Sequence, residues 1–145
     1  MYRVREFTPV DIPTVREIAK RSLKEEYPPS LFLNIHQWWA QGFLVCEVDG
    51  LPAGFIAGVV SREHQARILM LAIEQPYRGN GLGSALLRQF VVHCLDRGMK
   101  SLELEVRKSN LGALRFYGRF GFQTVNQLPA FYNDGEDGYK MWMPL

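Results

Sequence analysis

The densest chemical signal in the chain is the run Arg78-Gly79-Asn80-Gly81-Leu82-Gly83, with Ser84 directly behind it. Glycines at such a spacing let the backbone approach a ligand closely and adopt dihedrals closed to other residues. The run stands where a strand pattern gives way to a helix pattern. The free amides of a first helical turn, together with the helix dipole, attract an anion. Arg78 adds a positive charge, so a phosphate or pyrophosphate is the natural occupant. Three identities compete on this feature alone. A P-loop needs Gly-Lys-Ser/Thr, and no lysine follows Gly83. A dinucleotide fingerprint needs a third glycine where Ser84 stands, although Gly79 and Gly81 fit its first two positions and Glu103 mimics its ribose-binding acid. That fingerprint normally opens the first βαβ unit, whereas several strand candidates precede the loop here. The third identity is a tight turn that binds nothing.

The elements that must position this loop can be read from periodicity. Tyr2 to Phe7 alternates as a strand. Thr8-Pro9-Val10-Asp11 starts a helix whose apolar face is Ile12, Val15, Ile18, Ala19 and Leu23, running to about Lys24. Pro28-Pro29 breaks it, and Ser30 is expected to cap a short second helix carrying Leu31, Ile35, Trp38 and Trp39. Phe43 to Val48, Asp49-Gly50, and Pro52 to Val60 read as a hairpin. Ala66 to Glu74 is a further strand, apolar enough to suggest burial on both faces. Gly81 to Arg97 is a strong helix stopped by Gly98, and Ser101 to Val106 is a strand. Asn110 to Arg119 is a short helix closed by Gly121, and strands near Phe122 to Val125 and Tyr139 to Met143 end the pattern. The order β-α-α-β-β-β-α-β-α-β-β implies one α/β domain (α+β in some schemes) over residues 1–145, built around a mixed sheet.

Composition narrows the partners. The chain is 47% hydrophobic and 22% charged with a net charge of +2, which is ordinary for a globular domain and too weak to argue for nucleic acid. Cys46 and Cys94 lack a paired spacing and read as reduced, buried thiols. His36, His64 and His93 are scattered, so no metal is expected. There is no apolar signal core at the start, and no apolar run approaches the roughly 18 residues of a membrane helix. A cytoplasmic protein with no membrane partner is the expectation.

Arg78-x-x-Gly81-x-Gly83 resembles the R/Q-x-x-G-x-G/A motif of the GNAT acetyltransferases, which cradles the pyrophosphate of coenzyme A. Leu71-Ala72-Ile73 resembles the family's splayed strand, which bonds the pantetheine arm and the acetyl carbonyl. Leu104-Glu105-Val106-Arg107-Lys108-Ser109-Asn110, followed by Ala113 to Phe122, is similar to the second signature, L-x-V-R-x-S-N-x-x-A-x-x-x-Y-x-x-x-G-F. Tyr132-Asn133-Asp134-Gly135-Glu136-Asp137-Gly138-Tyr139 is similar to a tail of protein Nα-acetyltransferases, and Leu23-Lys24-Glu25-Glu26-Tyr27-Pro28 to their L-P-E-N-Y-P segment. The Leu-Glu-Val-Arg segment is shared with the ribosomal-protein alanine acetyltransferases. Lys24 replaces the proline, Gly138 replaces an alanine, and Arg67 stands where some eukaryotic members have histidine.

The resemblance implies a mostly antiparallel mixed sheet of about seven strands with about four helices and splayed central strands. It implies an acetyl-coenzyme A-dependent N-acetyltransferase without a metal. The co-substrate would lie on Leu71, Ala72, Ile73, Arg78, Gly79, Asn80, Gly81, Leu82, Gly83, Ser84, Asn110 and Tyr117. Glu105 is the first candidate for general base, with Glu25 its rival, and Tyr117 the candidate acid for the departing thiolate. Glu25, Tyr27, Tyr132 and Tyr139 are the expected substrate contacts. The substrate would be a protein or peptide N-terminus, a ribosomal protein among the candidates, and the enzyme a monomer or weak homodimer. An α-amine has a pKa near ~8 against ~10.4 for lysine, so at neutral pH about a tenth of it is already neutral and a modest base suffices. A small-molecule or lysine acetyltransferase is the alternative, and a non-catalytic acetyl-coenzyme A sensor the more distant one.

Overall fold

The structure, a computed structural model, describes residues 1–145. Strand β1 (Tyr2–Glu6) leads into a 3-10 turn (Pro9–Asp11) and helix α1 (Ile12–Leu23). Helix α2 (Pro29–Trp38) follows, then β2 (Phe43–Val48), β3 (Leu51–Arg62) and β4 (Gln65–Ile73). Helix α3 (Leu82–Asp96), β5 (Ser101–Arg107), α4 (Leu111–Phe120), β6 (Gln123–Leu128) and β7 (Gly138–Pro144) complete the chain. The order of helices and strands is the one expected from periodicity. All seven strands form one sheet in the order β1-β2-β3-β4-β5-β7-β6. Every neighbouring pair is antiparallel except β4 and β5.

Two helices cover each face. Val15, Ile18 and Ala19 of α1 with Phe32 and Ile35 of α2 pack on Phe43, Val45, Phe55 and Ala57. On the other face Leu82, Leu86, Leu87, Phe90 and Cys94 of α3 and Tyr117 of α4 pack on Leu44, Ile56, Leu102, Leu104 and Val106. Fully burying a side chain such as Phe43 or Leu86 is worth about 1.5–3 kcal/mol against exposure. Both cysteines lie unpaired in this core. Burial pushes the Cys94 thiol up to about 12, and burial with the nearby Glu47 raises Cys46. Neither is a nucleophile at neutral pH.

Local expectations hold at the stops and fail at one start. Gly98 and Gly121 have φ of +85° and +123°, the left-handed conformation that ends a helix. Ser30 does not cap α2. The helix begins one residue earlier at Pro29, whose fixed φ suits a first helical position, with Pro28 as the cap. Its buried side is Phe32 and Ile35, and Trp38 stands 61% exposed rather than packed. Lys24 ends α1 at φ +56°, a conformation closed to proline, whose ring fixes φ near about −65°. The replacement of proline by Lys24 is thereby tied to the backbone path of the loop that carries Glu25.

Candidate active site

The parallel pair β4–β5 creates the site. Gln65, Ala66 and Arg67 pair with Ser101, Leu102 and Glu103, and the pairing stops there. Beyond it the strands diverge, and the β5-facing edge of Leu71-Ala72-Ile73 has no strand partner. A bulge accompanies the divergence. Ala57 pairs with Met70 and Gly58 with Ile68, so Leu69 is an extra residue in β4. It reverses the strand's alternation: Ala66 and Ile68 pack on the α3 side, Met70 and Ala72 on the α1 side. Burial on both faces is achieved by this switch.

The glycine loop closes the end of the splay. Gly79 and Gly81 have φ of +82° and +80°, which L side chains adopt only under strain. Gly81 is the N-cap of α3, and Ala85 is the first amide bonded back to the loop, at 3.0 Å to the Gly81 carbonyl. The amides of Leu82, Gly83 and Ser84 therefore have no backbone acceptor. They line a cleft of about 390 Å³ with Ile73, Tyr77, Arg78, Gly79, Gly81, Phe116 and Arg119. Unbonded amides at a helix N-terminus with no carboxylate in the lining suit a pyrophosphate. Arg78 enters this cleft already anchored, its Nε donating to the Ile73 carbonyl at 2.8 Å and its Nη2 to Ser22 Oγ at 3.1 Å. Asn80, expected among the co-substrate contacts, is exposed and does not line the cleft; its side chain closes the turn, donating to the carbonyls of Tyr77 and Arg78 at 3.3 and 3.4 Å. Arg119, with no carboxylate partner, is the unengaged cation of the cleft. Its position on α4 is far from the motif in sequence, which is why the motif did not reveal it.

Glu105 and Tyr117 lie on opposite faces of the sheet. Glu103, Glu105 and Arg107 alternate with the core residues Leu104 and Val106, so they face the α1 side of the sheet. Arg67 Nε donates to Glu105 Oε1 at 2.8 Å, and Arg67 Nη2 reaches the same oxygen at 2.6 Å. Both contacts fall on Oε1, which leaves Oε2 to receive a proton. Arg67, in the place of a histidine, holds the carboxylate without competing for that proton. Glu103 is 3.8 Å from Lys140 Nζ and 7% exposed, so the neighbouring acid is occupied elsewhere. Tyr117 packs edge-on against Phe116 and Phe122 at 5.2 and 5.4 Å. No fully buried polar side-chain atom lacks a partner, and the Tyr117 hydroxyl has none within the chain, so the hydroxyl keeps some exposure in a residue that is only 8% exposed. Burial raises its pKa well above the usual phenol value and keeps it protonated, as a proton donor must be. Asn110 caps α4, its Oδ1 accepting from the Ala113 amide at 3.1 Å.

On the α1 side two loops stand over β5. Glu25 and Tyr27 come from the α1–α2 loop, and Tyr132 from the β6–β7 loop. Arg107 joins them, with Nη2 3.6 Å from Glu25 Oε1 and its guanidinium 4.2 Å from the Tyr132 ring centroid. Burial first, then Glu25, raises the Tyr27 hydroxyl, and burial raises that of Tyr132, so both remain donors at neutral pH. Tyr139 is not part of this group. It pairs with Val106 and shares its face with Met141 and Met143, on the α4 side of the sheet. The arrangement separates it from Tyr27 and Tyr132. Phe131, 46% exposed and edge-on to Tyr132 at 5.0 Å, stands beside the slot instead.

Comparison with known proteins shows the family. The model of the acetyltransferase (GNAT) family matches residues 12–122. An N-alpha-acetyltransferase of Sulfolobus acidocaldarius is 30% identical over 99% of this chain and 93% of its own. A Bacillus subtilis protein named as a ribosomal protein bS18-alanine N-acetyltransferase is 34% identical over 98% of this chain and 95% of its own. The crystal structure of Ard1 from Thermoplasma volcanium superposes with a TM-score of 0.96 at 40% identity, covering 99% of this chain and 97% of that one. The chain belongs to the GNAT family of acetyltransferases and is an acetyl-coenzyme A-dependent N-acetyltransferase.

Proposed function

We propose that this enzyme acetylates the α-amine of a protein or peptide N-terminus in one direct transfer. The observation that carries the reading is the slot of Glu25, Tyr27 and Tyr132, joined through Arg107, standing over the strand that presents Glu105. Two walls bearing phenol donors suit the first groups of a peptide. The lower pKa of the α-amine favours it further, because less proton removal is required. The relatives named for N-alpha and ribosomal-protein acetylation support the same substrate class. Small first residues such as Ala or Ser, or Met, are expected.

Acetyl-coenzyme A would lay its pyrophosphate on the amides of Leu82, Gly83 and Ser84 and its pantetheine arm along Leu71 to Ile73. It supplies the thioester that the amine attacks. Glu105 takes one proton from the ammonium and frees the nitrogen lone pair. The N–C bond forms as the C–S bond breaks, and Tyr117 gives its proton to the sulfur. The nitrogen's second proton then leaves and restores the neutral phenol. Unpaired buried thiols fit work in the reducing cytoplasm.

The choice of base is tested by comparing Glu105→Gln with Glu25→Gln. A general base contributes about 100-fold or more to rate. Glu105→Gln should lower kcat/KM by about that factor, with acetyl-coenzyme A affinity kept and the fold intact by circular dichroism. Glu25→Gln should act mainly on peptide KM. The reverse pattern would make Glu25 the base.

A further inference from the structure

We infer that Arg107 is the positioning residue of the peptide slot, a single cation that holds its two walls in register with each other. The inference rests on the reading of that slot as the amine-binding site. Four groups converge on the guanidinium. Nη1 donates to Asp134 Oδ2 at 2.8 Å and to Glu136 Oε1 at 2.9 Å. Nη2 faces Glu25 Oε1 at 3.6 Å, and the plane lies over the Tyr132 ring at 4.2 Å. The second oxygens extend the network. Glu136 Oε2 accepts from the Ser109 amide at 2.9 Å, and Asp134 Oδ1 from the Glu136 amide at 3.0 Å. Ser109 immediately precedes Asn110, the cap of α4, on which Tyr117 sits. One side chain thus ties the α1–α2 loop to the β6–β7 loop, and Glu136 carries the network on to the residue before the cap of α4.

Nothing else in the slot can replace it. Glu25, Asp134 and Glu136 make no ion pair except with Arg107. Without the cation, three carboxylates would face one another with no counter-charge, and the walls would separate. The β6–β7 loop contributes little to the core: Asp134 is 61% exposed at its side chain and Phe131 46% exposed. Fixing a backbone costs about 1–2 kcal/mol per residue, so a loop with so few apolar contacts depends on polar ties for its order. Those ties suit arginine alone, because a flat fork can bond two carboxylates while stacking on a phenol, and an ammonium is a point charge. The network also holds Asp134 and Glu136 ionised. The Glu136 amide and then Arg107 lower Asp134, and Ser109 and then Arg107 lower Glu136.

The test uses Arg107→Met and Arg107→Lys, each assayed with whichever amine the wild-type enzyme acetylates best. Loss of preorganisation should raise the amine KM by about tenfold in Arg107→Met, with kcat within about threefold and acetyl-coenzyme A affinity within about twofold by calorimetry. Arg107→Lys should recover less than half of that loss. Hydrogen exchange should quicken at residues 24–28 and 129–137 and stay unchanged in α3. An unchanged amine KM in both variants would overturn the inference. So would a parallel loss of acetyl-coenzyme A binding and α3 protection, which would mark Arg107 as a support of the whole fold. If the preferred amine proves to be a lysine or a polyamine, the N-terminal reading fails, and the same KM comparison on that amine still decides the role of Arg107.

Discussion

Tyr117→Phe will leave acetyl-coenzyme A binding nearly unchanged and lower kcat by about 100-fold or more, the scale of a lost general acid. The ring is held by Phe116 and Phe122 and buried to 8% exposure, so phenylalanine fills the same space. Only the hydroxyl is removed, and it has no partner within the chain. Loss confined to kcat is the signature of an interaction made as the bond breaks. The pH profile carries a second mark. Burial raises the Tyr117 pKa, so the proton is retained through and beyond the ordinary phenol range near about 10. The wild-type rate should therefore show no fall from Tyr117 ionisation on the basic side up to that range. Steady-state kinetics of both proteins measure each point. Equal loss of kcat and cofactor affinity would assign Tyr117 to packing.

The second large effect belongs to the glycine loop. Gly81→Glu and Gly83→Glu should each abolish measurable acetyl-coenzyme A binding by calorimetry, for reasons that differ. At Gly81 a Cβ would meet nothing within 4 Å, but φ is +80°, which costs a side-chain residue about 1–2 kcal/mol. At Gly83 the backbone is ordinary, and a Cβ would touch the Phe116 ring at 3.6 Å, a normal contact. The common element is a carboxylate set among the amides meant for the pyrophosphate. Two charges about 4 Å apart repel by roughly 1 kcal/mol in water and about 4 near a protein surface, so each such pair lowers affinity by about fivefold to about a thousandfold. Gly83→Ala is the control and should bind within about twofold, since it adds only the tolerated methyl group. Binding of NAD as tight as acetyl-coenzyme A would remove the assignment of the cleft.

The local rules that placed these elements were legible because they act within a few residues. Gly98 and Gly121 end helices through their own φ, and Asn110 caps α4 through an amide three residues on. The bulge at Leu69 was hidden, because one extra residue inside an apolar run leaves no mark on composition. The face that Tyr139 occupies, opposite that of Tyr132, was legible in the strand pattern. Tyr139, Met141 and Met143 alternate, and two methionines on a face point to the core. Arg78 reads as a positive charge from its motif, and the approach of Ser22 and the Ile73 carbonyl shows what holds it in place. Arg107 gathers Glu25, Asp134 and Glu136, which are distant in sequence, so its role belongs to the tertiary structure.

The measurement that bears most directly on N-terminal acetylation is a competition between two peptides of one sequence. The first has a free N-terminus and blocked lysines, and the second a blocked N-terminus and free lysines. Both are mixed with the enzyme and acetyl-coenzyme A, and the products are quantified by mass spectrometry. At pH 7 the α-amine is neutral about 200 times as often as a lysine amine, and the slot should widen that margin. The first peptide is expected to carry nearly all of the acetyl groups, with Ala, Ser or Met in first position. Preferential acetylation of the lysine peptide, or of spermidine over both, would contradict the account.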